Sequence, residues 1–183
     1  GCADSATQNL TVLSAPNVSA GIAPIVCENS PTFALSNGNP AGGVYTGNGV
    51  SNGMFNPVTA GAGSSNIKYK MTGPNGCADS AQFALVVNAK PNVVLAAAGP
   101  FCSGGTPITL NNGTPAGGNY SGPGISAGSF DPSTAGIGTH NVKYVFTNRS
   151  NCSDSATTTI RVDSGAVASL SILSDVCMNA APF

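Results

Sequence analysis

Hydrophobic and polar residues alternate along short stretches of this chain with the two-residue period of β-strands. In one stretch, residues 66–72, Ile67, Tyr69 and Met71 fall on one face and polar side chains on the other. Three further stretches place two aliphatic side chains in the same phase, namely Leu10 with Val12, Leu85 with Val87 and Ile160 with Val162. This pattern predicts half-buried strands, the first of them at residues 5–14.

Shorter strands are predicted at residues 18–22, 32–36, 43–46 and 53–56, each bounded by glycine, proline or asparagine. No apolar 3.6-residue period persists for ten residues, so the sequence predicts no helix. The turn sequence Pro74-Asn75-Gly76 stands before a further strand. Many short strands with regular turn signals are typical of small antiparallel β-sandwiches.

The pattern repeats along the chain at a fixed interval. The segment 40–50, Pro-Ala-Gly-Gly-Val-Tyr-Thr-Gly-Asn-Gly-Val, returns at 115–125 with its proline, tyrosine and glycines in register, and Tyr120 minus Tyr45 gives a period of 75 residues. A period of this kind indicates tandem β-sandwich domains in a linear array, and both ends of the chain fall inside a repeat, as in a window of a longer protein. The predicted domains are the last strand of a preceding repeat (1–15), two complete Ig-like repeats (16–89 and 90–163) and the start of a following repeat (164–183).

Composition narrows the functional classes. Charged residues make up 7% of the chain and the formal net charge is −1, so no basic surface for nucleic acid or for an anionic membrane is present. No apolar run approaches the roughly 20 residues that a membrane span needs. A polar, low-charge composition without tryptophan is typical of extracellular β-fibres.

The sequence offers no catalytic or metal-binding constellation. His140 is the only histidine and has Ser65 at the equivalent position of the other repeat, while Glu28 is the only glutamate. A working group of a repeat array is expected to recur with the repeat, and His140 does not. Calcium could use only dispersed oxygens that lack an acidic cluster, those of Asn48, Asn52, Asn56 and Asp131. We therefore expect no enzyme, no metal and no cofactor.

Six cysteines recur once per half-repeat. They form two equivalent sets, Cys2 with Cys77 and Cys152, and Cys27 with Cys102 and Cys177. No Cys-x-x-Cys pair occurs, which disfavours zinc, and the regular spacing favours disulfides in an oxidising compartment.

Two disulfide pairings remain open. Within one small domain, Cys27 would bond Cys77 and Cys102 would bond Cys152. If the first strand runs the length of the domain, however, Cys27 and Cys77 lie at opposite ends, roughly 33 Å apart for a ten-residue strand, whereas a disulfide needs Cα atoms within about 7 Å. Cys27 would then bond Cys152 and lock adjacent domains, leaving the other four cysteines for repeats outside this chain.

Tyr45 and Tyr120 stand alone among glycines, which allows two interpretations. An aromatic ring in an open glycine-rich loop is a platform on which a sugar stacks. The other interpretation places both rings in the core of their sandwich, as aromatic strand residues of Ig-like domains commonly are.

Several motifs together resemble the Ig-like or PKD-like repeats of giant Bacteroidota surface proteins exported by the type IX system. These are the Val-Cys-Glu-Asn-Ser-Pro segment, Gly-Gly-x-Tyr-x-Gly-x-Gly, Phe-x-Pro-x-Thr-Ala-Gly-x-Gly and the closing Asn-Gly-Cys-Ala-Asp-Ser-Ala strand. The resemblance implies an extracellular, cell-surface protein. It also implies O-glycosylation, because Asp-Ser followed by a small residue resembles the acceptor motif of such proteins, with Ser5, Ser80 and Ser155 as the matching positions.

These observations favour a structural segment of a long surface fibre or adhesin, in which repeats act as rigid spacers. Its partners would be neighbouring repeats of the same chain, with a homo-oligomeric fibre as a further form of assembly. The competing hypotheses are a module that binds glycans or a surface through Tyr45-type loops, and the stalk of a secreted multidomain enzyme.

Overall fold

The computed structural model describes residues 1–166 and confirms the all-β prediction. These residues fall into two compact units. The first comprises Gly1–Asn92 and Phe146–Asp154, and the second comprises Val93–Val145 and the described residues from Ser155 onward. The first unit thus contains the hairpin tip of the second sequence repeat. Among the described residues, no helix is long and apolar enough to cross a membrane.

The first repeat forms two sheets. Its elements are β1 (Val26–Cys27), β2 (Phe33–Ala34), β3 (Val44–Thr46), β4 (Val50–Ser51), β5 (Met54–Phe55), α1 (Pro57–Ala60), β6 (Gly63–Thr72) and β7 (Ala78–Asn88). One sheet has the order β1-β7-β6-β3 and the other β2-β5-β4. The long hairpin of β6 and β7 is antiparallel, and β1 runs parallel to β7 at its far edge.

The second repeat has equivalents of all these elements in the same order, and two additional short strands, β8 and β11. Its elements are β8 (Val94–Leu95), β9 (Ala98–Cys102), β10 (Ile108–Thr109), β11 (Gly113–Thr114), β12 (Asn119–Ser121), β13 (Ile125–Ser126), β14 (Ser129–Phe130), α2 (Pro132–Ala135), β15 (Gly138–Thr147) and β16 (Ser153–Asp163). The sheets are β12-β15-β16-β9 and β10-β14-β13. The small β8-β11 pair corresponds to a single bridge between Ser19 and Asn39 in the first repeat.

The core lies between the two sheets because each contributes alternate side chains to it. Ile67, Tyr69 and Leu85 come from the longer sheet, and Phe55 comes from the shorter one. Phe55 and Ile67 are fully buried, and the Phe55 ring lies 5.6 Å from that of Phe33. Burial of these large apolar side chains is the main stabilising contribution in so small a domain.

Three local predictions were wrong. Residues 18–22, predicted to be a strand, contribute only a single bridge, from Ser19 to Asn39. The structure contains the four-residue helices α1 and α2, where the sequence predicted none. Asn56 and Asp131 cap them by accepting hydrogen bonds from the next backbone N–H groups, and Pro57 and Pro132 occupy the first turn, which is a favourable helix start. A helix of four residues is too short to produce a detectable apolar period.

The segment 5–14 does not form a strand, and Leu10 and Val12 are 89% and 86% exposed. Its equivalent β7 is a strand because β6 precedes it and pairs with it along its whole length. None of the described strands pairs with residues 5–14. The assignment of residues 1–15 to a preceding repeat stays a prediction.

Candidate functional site

A disulfide joins Cys27 to Cys152, which stand 125 residues apart in the chain. Their Cα atoms are 5.6 Å apart, within the usual range for a cystine. This is one of the two pairings that the sequence left open, and the pairings of Cys27 with Cys77 and of Cys102 with Cys152 do not occur in the structure. The cysteine sites of successive sequence repeats are therefore covalently joined.

Cys27 is positioned by the short parallel strand β1, where it stands opposite Asn88 of β7. The Glu28 N–H donates to the Asn88 carbonyl at 2.8 Å and continues this pairing. On the other side, Ser30 folds the chain into a turn. Its hydroxyl accepts from the Cys27 N–H at 3.1 Å, and its N–H donates to the Cys27 carbonyl at 2.9 Å. The half-buried Cys27 sulfur is thus held at the end of the long hairpin's outer strand.

Cys152 closes the tip of the hairpin between β15 and β16. The Asn148 N–H donates to the Cys152 carbonyl at 2.9 Å, and the Asn148 side-chain oxygen accepts from the N–H groups of Ser150 and Cys152, each at 3.0 Å. Asn151 adopts a positive φ of 59°, which asparagine tolerates better than most residues. Cys152 is fully buried as a result of this closure and of its bond to Cys27.

Three polar contacts surround the cystine. The Asn148 side-chain amide donates to the Ala89 carbonyl at 3.0 Å, and that of Asn29 donates to the Ser153 carbonyl at 2.8 Å. Lys90 forms an ion pair with Asp154 at 2.5 Å. The hydrogen bond from Lys90 to this carboxylate, together with its charge, raises the pKa of Lys90. The pair is partly exposed, so we expect its contribution to be small beside that of the covalent bond.

A pocket of about 550 Å³ opens beside the cystine. It is lined by Ile25, Cys27, Asn88, Arg149, Ser150 and Asn151. Arg149 is the one ionisable side chain in this lining. General acid–base catalysis needs a group that exchanges a proton near neutral pH, and arginine does not. The pocket thus offers no acid–base chemistry.

The remaining cysteines differ in their surroundings. Among the described residues, Cys2, Cys77 and Cys102 carry free thiols, and Cys177 lies outside the described part of the chain. The Cys77 sulfur lies 3.7 Å from the Leu13 carbonyl, much as the Cys152 sulfur lies 3.9 Å from the Asn88 carbonyl. Cys77 therefore occupies the same place at its own hairpin tip as Cys152 does.

Tyr45 lies in the core, where its ring centroid is 4.6 Å from that of Tyr69 and it is only 9% exposed. The Gly38 N–H donates to its hydroxyl. The Tyr69 hydroxyl accepts from the Gly43 N–H at 2.7 Å and donates to the Pro40 carbonyl at 2.5 Å. These bonds fasten the glycine-rich loop to the sheet, which favours the core interpretation of Tyr45 over the sugar platform.

Gly43 of the repeated motif, and Gly38 just before the motif, leave room for the Tyr69 ring. A Cβ atom on Gly43 would lie 2.4 Å from Cζ of Tyr69, and one on Gly38 would lie 2.5 Å from the same atom. Tyr120 and Tyr144 repeat the arrangement in the second unit, with ring centroids 4.6 Å apart and Tyr144 bonded to the Gly118 N–H at 2.7 Å. The glycine-rich motif drew attention to Tyr45 and Tyr120, whereas the anchoring roles of Tyr69 and Tyr144 were not predicted, although their identical spacing already signalled them.

The three candidate acceptor serines are all exposed. Ser80 lies on β7 and Ser155 on β16, whereas Ser5 lies in the segment that forms no strand. The Asp79 carboxylate accepts from the Ser80 N–H at 2.7 Å, a local bond that leaves the Ser80 hydroxyl on the surface. O-glycosylation at these positions stays a prediction.

The other polar candidates have structural roles. The His140 ring lies 2.8 Å from the Gly136 carbonyl, and the Asn48 side chain donates to the Ala60 carbonyl at 2.8 Å. Asn52 occupies a turn with φ of 49°. The hydroxyls of Ser133 and Thr134 donate to the Asp131 carboxylate and lower its pKa, and the Ser133 bond has the larger effect. Within residues 1–166, no group of three or more acidic, histidine or cysteine side chains could hold a metal ion.

Comparison with known proteins does not assign the chain to a family. No protein-family model matches it, and no curated protein matches it.

Proposed function

We propose that this chain is a tension-bearing segment of a long extracellular surface fibre or adhesin, in which the repeats act as spacers. The observation that carries the proposal is the cystine between Cys27 and Cys152. A covalent bond between two distant residues transmits tension directly from one to the other. The residues inside the closed loop then carry no load.

The closed loop contains the long β6–β7 hairpin and also sheets built from much shorter strands. Residues 28–151 include strands of only two or three residues, such as β4 and β5, and both tyrosine clusters. Sheets built from such short strands contribute few ladder hydrogen bonds. With the cystine closed, tension applied at the chain ends bypasses them. This arrangement suits a spacer that must keep its length under load.

Compartment and composition support the same role. A native disulfide is typical of proteins in oxidising surroundings, and the low charge is typical of surface β-fibres. The resemblance of the repeat motifs to giant Bacteroidota surface proteins points in the same direction. The glycan-binding alternative has weaker support, because Tyr45 is buried and the hydroxyls of Tyr45 and Tyr120 each accept from a backbone N–H.

The proposal is tested by pulling single molecules of the full chain from its two ends. In the oxidised chain only the residues outside the loop extend. Reduction of the cystine is expected to release the 125-residue span, adding roughly 400 Å to the extended length at about 3.4 Å per residue.

The Cys77→Ser variant is the matched control, since Cys77 carries a free thiol and its loss leaves the loop closed. It should behave like the parent chain in both conditions. An oxidised chain that extends to the same length as the reduced chain would contradict the proposal, because the cystine would then shield nothing.

A further inference from the structure

We infer that Cys102 and Cys77 each occupy one half of a disulfide site like the one that Cys27 and Cys152 form together. The cysteine that each of them bonds belongs to another copy of this repeat. Cys102 would bond the hairpin-tip cysteine of a following copy, which is the equivalent of Cys152. Cys77 would bond the β1-type cysteine of a preceding copy, which is the equivalent of Cys27. The purpose of such a bond rests on the proposed tension-bearing role, whereas the evidence for the bond is the backbone geometry around Cys102 and Cys77.

The backbone around Cys102 reproduces that around Cys27. Cys102 stands opposite Asp163 in a parallel pairing, as Cys27 stands opposite Asn88. The Ser103 N–H donates to the Asp163 carbonyl at 2.9 Å, which matches the bond from Glu28 to Asn88 at 2.8 Å. The Gly105 N–H donates to the Cys102 carbonyl at 2.9 Å, the same distance as the bond from Ser30 to Cys27. Cys102 is exposed at the position where Cys27 accepts a partner.

The hairpin tip around Cys77 reproduces the tip around Cys152. The Gly73 N–H donates to the Cys77 carbonyl at 2.8 Å, and the corresponding bond to Cys152 is 2.9 Å. The Gly76 N–H donates to the Gly73 carbonyl at 3.0 Å, the same length as the equivalent bond in the second tip. Asn75 donates to the Ser14 carbonyl at 2.9 Å and holds this tip against the preceding segment. Both halves are therefore formed before any partner is present.

Closing the new cystine is an oxidation that needs an electron acceptor. A small or protein disulfide serves as that oxidant by thiol–disulfide exchange. The two cysteine thiols lose two protons and two electrons as the sulfur–sulfur bond forms. The disulfide of the oxidant breaks and is released as two thiols, so the exchange balances.

Pairing at a constant offset creates two interleaved covalent routes along an array. Each route crosses a cystine, follows the chain from a hairpin-tip cysteine to the next β1-type cysteine, and then crosses another cystine. The chain part of each step is the segment from Cys77 to Cys102, that is 25 residues by subtraction, which contains β7. The segment from Cys27 to Cys77, with Tyr45 and Tyr69, is bypassed in every repeat.

The test is an extended chain in which residues 1–150 are fused to the start of the full chain, so that the 75-residue period continues through the junction. It is oxidised with glutathione disulfide, alkylated and mapped without reduction. We expect Cys102 of the added segment to be joined to Cys77 of the full chain. Cys27 and Cys152 of the full chain should be joined as before. In the original chain, Cys77 and Cys102 should both be alkylated.

The matched control changes Cys102 of the added segment to serine. This Cys102→Ser variant should lose the new cystine alone and leave Cys77 of the full chain open to alkylation. The inference would be overturned if Cys102 of the added segment and Cys77 of the full chain remained thiols or paired within one copy, or if the Cys27–Cys152 bond of the full chain were lost. Because the map reports connectivity and the pulling experiment reports load, failure of one is distinguishable from failure of the other.

Discussion

The two hairpin tips of this chain share a backbone but differ in how they are fastened. The tip at 73–77 and the tip at 148–152 both close on a cysteine carbonyl, and both send an asparagine amide to a carbonyl of the preceding segment, at 2.9 and 3.0 Å. Only the second is bonded to Cys27 and flanked by the ion pair of Lys90 with Asp154. Each repeat thus holds its hairpin tip against the preceding segment by hydrogen bonds, whereas the disulfide also requires a cysteine of the preceding repeat.

The largest difference should appear between a variant that loses the disulfide at the second tip and a variant that loses the free thiol at the first. Cys152→Ser opens a loop of 125 residues, and we expect it to lower the free energy of unfolding of the oxidised chain by about 3 to 5 kcal/mol, because the unfolded chain regains the entropy of loop closure. Cys77→Ser should leave it unchanged. Denaturant unfolding of both variants measures the difference, and equal stabilities would erase the distinction between the tips.

The tyrosine clusters should respond alike in the two repeats. Tyr69→Phe removes the hydroxyl that bonds Gly43 and Pro40, and Tyr144→Phe removes its equivalent. Each should cost about 1 to 3 kcal/mol, since polar backbone groups lose a partner in a partly buried site. Thermal unfolding of the single variants checks this. A loss confined to one repeat would show that the two clusters are not equivalent.

Acid should separate the two helix caps, because Asp131 titrates and its equivalent Asn56 does not. Hydrogen bonds from Ser133 and Thr134 lower the pKa of Asp131 below its ordinary value of 3.8. Its stabilising contribution is therefore complete above that value and is lost as the pH falls through the lowered pKa. Melting temperatures between pH 5 and pH 2 should fall less steeply in Asp131→Asn than in the parent. Identical slopes would rule out a role for this cap in acid sensitivity.

The smallest effect should come from the ion pair beside the cystine. Because Asp154 raises the pKa of Lys90 above 10.5, the stabilising contribution is present below that value and is lost as the pH rises through the raised pKa. Lys90→Gln should remove this alkaline loss, while Lys70→Gln, a change at an exposed lysine of β6, should not. Melting temperatures between pH 8 and pH 11 provide the comparison. If both variants match the parent, the ion pair of Lys90 with Asp154 contributes nothing to the stability of the protein.

Period and alternation were enough to predict the all-β fold, whereas the sequence left two cysteine pairings open. Tyr69 and Leu85 alternate into the core as their spacing requires. The helices escaped notice because a four-residue helix is defined by its cap and not by a period. The ion pair of Lys90 with Asp154 was not predictable, since it joins residues 64 positions apart at a joint where the other repeat has Ala15 and Asp79.

The most direct test of the account is a disulfide map of the oxidised full chain, digested without reduction after free thiols are alkylated. The account predicts a linked pair of peptides that contain Cys27 and Cys152, with Cys77 and Cys102 recovered in alkylated form. Linkage of Cys27 to Cys77, or of Cys102 to Cys152, would contradict it, because each disulfide would then close within one repeat and would not join successive repeats.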